Sequence, residues 1–430
     1  MKRNLLPFTA LLCLLFSLAQ AQKTDARKQT SPVAKTTGTV IRASAPSINP
    51  AGISKRVFPL QSTLPGYSVS DLAPLKKGLS GVSIFGAGEG THGTHEFFTF
   101  KHRLFEFLVQ EMDYTVFAIE DGMYGAALIN QYITTGQGDP KAILETEFHN
   151  VFQVRELLDL IEWMRGYNAA HGNRLTFAGF DSQQMDSYVR GIREIEDSYQ
   201  TNAFRRLTDY SAPEGDTAGQ AMIEARAIAE SMAENIPVRP PHVPEKEWEQ
   251  ATWYLLNIKA ALQQFTSKDW LPAINTRDSM MALNVQRLAA QHQGEKIMLW
   301  AHNGHVGSRH GAVDGFNTLG SHLKARYGAA YQNLGFTTST GTYRAMSETT
   351  FKMVEDNRLG IPVTGSIESL LHKTGIPLFF FSTRSLPLEG RFRMIGSIAY
   401  KDQFTPKPLK PGDLFDWLVF VDKTSSALGL

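Results

Sequence analysis

Gly86-Ala87-Gly88-Glu89-Gly90-Thr91-His92-Gly93-Thr94-His95-Glu96 stands between a short apolar run, 82–85, and a segment with amphipathic spacing. Glycines let a chain turn tightly where a strand ends, so this stretch predicts a strand–loop–helix corner with polar side chains projecting from it. A carboxylate (Glu89) three residues before an imidazole (His92) suits acid–base chemistry at such a corner. The same letters also spell a helix start, capped by Thr91 or Thr94 with Glu96 in the first turn. The corner alone admits both readings.

Outward from the corner, apolar runs of strand length recur at 115–119, 175–180, 297–300, 333–336 and 378–381, with helical patterns between them. Strands alternating with helices predict an α/β fold whose mostly parallel central sheet is flanked by helices on both faces. Two further runs, 392–398 and 417–421, are joined by turn-rich sequence and predict an antiparallel edge. From 185 to 293 the pattern is helical, broken at Pro237-Val238-Arg239-Pro240-Pro241-His242-Val243-Pro244. It predicts a helical insertion at about 186–293, forming a lid or wall over the sheet, or else a separate helical domain. Trp248, Trp253, Tyr254 and Trp270 within it suit core packing, or the lining of a large apolar pocket. Residues 57–430 otherwise read as a single domain.

The chain holds 430 residues, 42% of them apolar, which is enough for a packed core. Its 43 basic and 42 acidic residues balance, which argues against nucleic acid or an anionic membrane surface as partner. Met1-Lys2-Arg3-Asn4 is basic, 5–19 is mostly apolar, and Ala19-Gln20-Ala21 supplies small residues before Gln22. That grammar predicts a signal peptide over 1–21 and an exported protein, periplasmic or secreted. The apolar run is short for a bilayer span, so no stable membrane insertion is expected after cleavage. The single cysteine, Cys13, falls inside the signal, which leaves no disulfide, thiolate ligand or cysteine nucleophile beyond it. Residues 22–56, rich in Lys, Thr, Ser, Ala and Pro, predict a flexible tail. The pattern carries no signal for an oligomeric state.

In open parallel sheets, ligands bind at the carboxyl ends of the strands. The first such end here holds Glu89 and His92, the second Glu120 and Asp121, the third Asp181, and the fourth His302, Asn303 and His305. Each group taken singly suits a helix cap or a satisfied loop residue; four such ends in one sheet point to a shared cleft. A helix over about 94–112 would set Phe97, Phe98, Leu104, Phe105, Leu108 and Met112 on one apolar arc, with Lys101 near its middle. A charge there is costly unless it is paired or snorkels to water, and pairing would aim it at Glu89 or Glu120. Other chemistries fail by spelling. Thr91 stands where a dinucleotide fingerprint needs its last glycine, Thr99 where a zinc-protease helix needs its second histidine, and no Gly-x-Ser-x-Gly elbow occurs.

At these residues the chain resembles the erythromycin esterase family. The shared pattern is Gly88-Glu89-Gly90-Thr91-His92-Gly93-Thr94-x-Glu96-Phe97, a strand ending at Glu120, Leu160-Ile161-Glu162-Trp163-Met164-Arg165 with Tyr167-Asn168, and Gly179-Phe180-Asp181. It continues through Arg277-Asp278-x-x-Met281-Ala282-x-Asn284, Trp300-Ala301-His302-Asn303-x-His305-Val306, and Phe415-Asp416 to Asp422-Lys423-Thr424. The resemblance covers nearly all of the chain beyond about residue 60. It implies an α/β fold with a deep cleft and a hydrolase that uses a histidine-activated water. The family's glutamate and catalytic histidine fall on Glu89 and His92, its second-strand glutamate on Glu120, and its later histidines on His302 and His305. Where the family usually has an arginine on the first helix this chain has Lys101, which keeps the charge but loses the bidentate fork. Macrolide hydrolysis is an expectation at family level only.

Together these readings describe an exported hydrolase of a small-molecule ester or macrolactone, with no covalent intermediate and no cofactor. His92 would deprotonate the attacking water, since an unperturbed imidazole titrates near pH ~6.5. Glu89 and Glu120 would orient it, and His302 would donate to the developing oxyanion or the leaving alkoxide. Lys101, His305 and Asp181 would contact substrate. Two alternatives stay open. One is a metal-dependent hydrolase binding a divalent ion through Glu89, His92, Glu120, His302 and His305. The other is a periplasmic protein that holds a small molecule or haem in the same cleft.

Overall fold

The computed structural model describes residues 50–211, 213, 217–400 and 403–430. The signal peptide expected over 1–21, and the expected tail as far as residue 49, lie outside the described residues. From there the chain is folded. Pro50–Ser54, inside the stretch expected as tail, is a short helix whose Ile53 is buried.

Among the described residues, ten strands form the sheet system: β1 (Phe58–Pro59), β2 (Ile84–Ala87), β3 (Tyr114–Gly122), β4 (Thr176–Asp181), β5 (Lys296–Trp300), β6 (Tyr331–Ser347), β7 (Met353–Arg358), β8 (Leu378–Ser382), β9 (Ile398–Ala399) and β10 (Trp417–Thr424). Their order is β1-β8-β10-β6-β2-β5-β3-β4, with β7 and β9 pairing off β6. Every pair from β10 to β4 is parallel, which is the mostly parallel sheet that the alternating pattern predicts. The antiparallel edge is built differently from the expectation. It consists of β8 against β10 and β1 against β8, whereas of the expected 392–398 run only Ile398 enters a strand, β9, which is parallel to β6. The rest of that run is held by an isolated antiparallel bridge between Arg393 and Phe404, by the Ile395 N–H on the Gly90 carbonyl, and by the buried Arg393 guanidinium, which donates to the carbonyls of Thr338 and Ser339 on β6.

Alternation along each strand explains the two cores. Phe85 and Ala87 of β2, Phe117 and Ile119 of β3, and Met298 and Trp300 of β5 face one core. Ile84, Val116, Ala118, Ile297 and Leu299 face the other. Helices α1 (His95–Met112), α2 (Met123–Thr135) and α3 (Arg155–His171) cover the first face. Between Met185 and Gln291 the described residues contain no strand: α4 (Met185–Ser198), α5 (Ala218–Glu234) and α6 (Glu245–Thr266) pack around Tyr188, Leu255 and Ile258. Helix α7 (Trp270–Gln291) returns to the sheet and joins α9 (Leu319–Tyr327) on the second face, with α8 (Asn303–Val306) between them in sequence.

The expected apolar arc of α1 is buried, but so is most of the remainder of that helix. Charge on its other side is neutralised locally, with Arg103 donating to the Ser62 carbonyl and pairing with Asp71. His102 is 4% exposed, its Nε2 lies 3.7 Å from Glu106 without a hydrogen bond, and burial pushes it down to about 4. The unfolded chain therefore takes up a proton more readily than the folded one between pH 6.5 and 4. Stability is full above that window and falls by about 3 kcal/mol as pH drops through it. Denaturant titration of the parent and of His102→Leu at pH 7 and pH 4 should show the variant losing less across the interval by that amount.

Candidate active site

The glycine-rich corner follows β2. Gly86, Gly88, Gly90 and Gly93 all lack positive φ, so their role is close approach, not the tight turn expected from composition. A Cβ on Gly88 would lie 2.3 Å from Asn303 Oδ1, and one on Gly93 would lie 1.9 Å from the Arg344 carbonyl oxygen. Gly93 also accepts backbone N–H bonds from Arg344 (2.8 Å) and Ala427 (2.9 Å). Gly93→Ala should therefore cost about 1–3 kcal/mol, because both surfaces are backbone and neither can rotate away; urea denaturation measures it. Thr94 does occupy the N-cap position of α1, but its hydroxyl bonds Thr91 Oγ1 at 2.6 Å instead of capping. The helix start is secured from elsewhere: His95 N–H donates to Ser425, and Glu96 accepts from the Ser425 amide and hydroxyl.

Glu89 is fully buried and collects three side-chain donors. His92 Nδ1 lies 2.7 Å from Oε1, while Lys101 Nζ (2.5 Å) and Trp300 Nε1 (2.8 Å) share Oε2. A carboxylate accepts, so His92 donates from Nδ1, and Nε2 is the nitrogen that can take up a proton from the neutral ring. Lys101 is 0% exposed and sits 4.4 Å from the Trp300 ring centre. Burial pushes its ammonium down to about 8 against the pull of Glu89 and Glu120.

The second cluster joins β3, β4, β5 and α7. Arg277 reaches down from α7, donating from Nε and Nη2 to Asp181, from Nη2 to Glu120 (2.7 Å), and from Nη1 to His305 Nε2 (3.0 Å). Glu120 Oε2 accepts the His302 amide at 2.7 Å. Burial would raise Glu120, yet His305, Arg277 and His92 outweigh it and hold the carboxylate well below its ordinary range. His305 Nδ1 faces both oxygens of Asp278; burial would lower this ring, but Asp278 and Glu120 raise it. His302 is fixed at both nitrogens: Nε2 donates to the Ile395 carbonyl (2.9 Å) and Nδ1 accepts from Gly304 N–H (3.1 Å). Burial, with His92 and His305 beside it, keeps His302 far below the usual imidazole value and so neutral. Its ring lies against His92, with centroids 4.8 Å apart.

A cavity of about 220 Å³ opens over these groups. His92, Glu120, His302 and His305 line it; Glu89, Lys101 and Asp181 do not. Lys101 and Asp181 are thus placed behind the wall, holding Glu89 and Arg277, and not in reach of substrate as expected. Of the four aromatic candidates in the insertion, only Trp270 borders this cavity. Trp248 packs on Phe204, Tyr254 stacks on Tyr188, and Trp253 donates to Asn284. Among the described residues, no group of three or more His, Cys, Asp or Glu side chains stands in a metal-holding arrangement.

This layout recurs in known proteins. The family model described as erythromycin esterase matches residues 109–424. The chain belongs to the erythromycin esterase family. It is 24% identical over 373 residues to the Escherichia coli protein named erythromycin esterase type II, across 78% of this chain and 88% of that one. A solved succinoglycan biosynthesis protein superposes with a TM-score of 0.73 at 24% identity, covering 89% of this chain and 98% of that one. An EreC erythromycin esterase variant in its open conformation gives 0.67 at 18% identity, covering 86% and 98%. These superpositions establish the shared fold. Erythromycin esterase family homologues are ester-hydrolysing enzymes, and this chain is a hydrolase of that family. Glu120, Asp181, Arg277, His302 and His305 fall inside the matched stretch, while Glu89, His92 and Lys101 precede it.

Arg277 and Asp278 received no role from the sequence, although the signal was there. Ile274, Asp278, Met281 and Val285 are buried at i, i+4, i+7 and i+11, an apolar stripe with a charge set into it as in the Lys101 argument. His149, also on the cavity wall, lies outside any helix or strand and has no such periodicity to betray it.

Proposed function

We propose that this member of the erythromycin esterase family cleaves a small-molecule ester or macrolactone with a water that His92 deprotonates. One observation carries the reading: His92 lines the cavity with Nδ1 on Glu89 and Nε2 without a partner among the described residues. Glu89, held in turn by Lys101 and Trp300, would stabilise the imidazolium as it forms. Four of the five Arg277 N–H groups are spent on Asp181, Glu120 and His305, so one on Nη1 is left to meet the oxyanion from the cavity wall. His302 has given its N–H to Ile395, so we assign it the support of the His92 ring in place of oxyanion donation.

No nucleophilic side chain enters this scheme, and the buried carboxylates are already paired with Lys101 and Arg277, which a divalent ion would have to displace. Export through cleavage after Ala21 belongs to the same proposal. Mass spectrometry during turnover of a macrolide and simple-ester panel is the test. Hydrolysis that persists after chelation, without an acyl adduct on the protein, is expected. An acyl adduct, or activity restored only by added metal, overturns the mechanism.

A further inference from the structure

We propose that His149 is a second catalytic residue, the acid that protonates the departing alkoxide; the inference rests on the His92 reading above. The pairing of β3 with β4 shifts register between Ile119 and Gly122, the place from which Glu120 and Asp121 project. Glu120 meets Arg277 and the His302 amide, whereas the fully buried Asp121 serves His149. Asp121 Oδ2 accepts the His149 backbone N–H at 2.9 Å and lies 3.3 Å from its ring Nδ1. Oδ1 accepts from the Gly122 amide (2.7 Å) and Gln184 Nε2 (3.2 Å), so the carboxylate cannot swing away. His149 borders the cavity, and its ring Nε2 has no partner among the described residues.

Asp121–His149 therefore repeats Glu89–His92: a buried carboxylate, a ring held by Nδ1, and a free Nε2 at the cavity. Their carboxylates, Asp121 and Glu89, stand at the ends of β3 and β2 with β5 between them, about 10 Å apart by strand spacing. A hydrogen bond to the water, the approach of that water to the carbonyl carbon, the C–O bond and a hydrogen bond to the leaving oxygen follow one another over a contour of about 10 Å, so one ring can face the water while the other faces the leaving oxygen. Burial would lower His149, but Asp121 and Asp181 outweigh it and raise the ring, the direction a proton donor needs.

In the step itself, His92 takes a proton from water as the new C–O bond forms. The tetrahedral oxyanion then collapses, the bond from carbon to the leaving oxygen breaks, and the His149 Nε2 proton passes to that oxygen. An acid and an alcohol leave, and solvent carries the proton from His92 back to His149.

An alkoxide needs that proton, whereas a nitrophenolate departs without it. The test compares alkyl and 4-nitrophenyl esters of one acid that the parent enzyme cleaves, in the parent, His149→Gln and His92→Ala proteins. His149→Gln should lower kcat on the alkyl ester by about 10²–10⁴-fold and lose far less on the nitrophenyl ester. His92→Ala should lose both. Equal losses on the two esters in His149→Gln, or none on either, would overturn the inference. If that variant does not fold, His149→Asn takes its place. Full activity in His92→Ala would overturn the parent reading instead.

Discussion

His92→Ala is expected to lower kcat by roughly 10²–10⁴-fold, the usual contribution of a positioned general base. The fold should survive. The side chain is 11% exposed, and its removal still leaves Glu89 bonded to Lys101 and Trp300, so no buried carboxylate is orphaned. Thermal unfolding should therefore match the parent protein while ester turnover collapses. Added imidazole gives a further check: a vacancy beside Glu89 in a 220 Å³ cavity has room for a free ring, and partial rescue is the expected result. Unchanged turnover in the variant would sink the proposed mechanism.

Arg277→Met is expected to cost about 3–5 kcal/mol of unfolding free energy as well as turnover. Its guanidinium is the shared cation of Asp181 and Glu120, and nothing else among the described residues replaces it at Asp181. The deficit should depend on pH with a defined sign. In the parent protein Glu120 is held well below its ordinary range, so its contribution is present above the unfolded carboxylate value and lost as pH falls through the folded one. Removing Arg277 removes that contribution, so the gap between the two proteins is widest near neutrality and narrows in acid. Arg277→Lys should recover part of the stability but not the turnover, because an ammonium cannot span Asp181 bidentately while meeting Glu120 and His305. Denaturant titrations at pH 7 and pH 3 decide it.

The parallel sheet was legible because its strands are apolar runs separated by helical periods, and because both faces are covered. The convergence of Glu89, Glu120, Asp181 and His302 follows from that layout, since all four lie at carboxyl ends of adjacent strands. Lys101 was legible as a charge set in an apolar arc, although the arc does not say whether its partner lies in front of a cavity or behind its wall. What escaped were contacts made between segments distant in sequence. No local pattern places the Ile395 carbonyl on His302, or Asp121 behind His149. Nor does composition distinguish a glycine needed for a turn from one, such as Gly93, needed because another backbone passes against it.

The stitching of residues 425–430 onto the corner has a consequence in time. Ser425 bonds His95 and Glu96, Ala427 bonds Gly93, and Leu428 bonds Glu156 and Arg155. Ser425 and Glu96 are 329 residues apart, so the ribosome makes Glu89 and His92 long before it makes what braces them. Every nascent chain therefore lacks these braces until its last residues have been made.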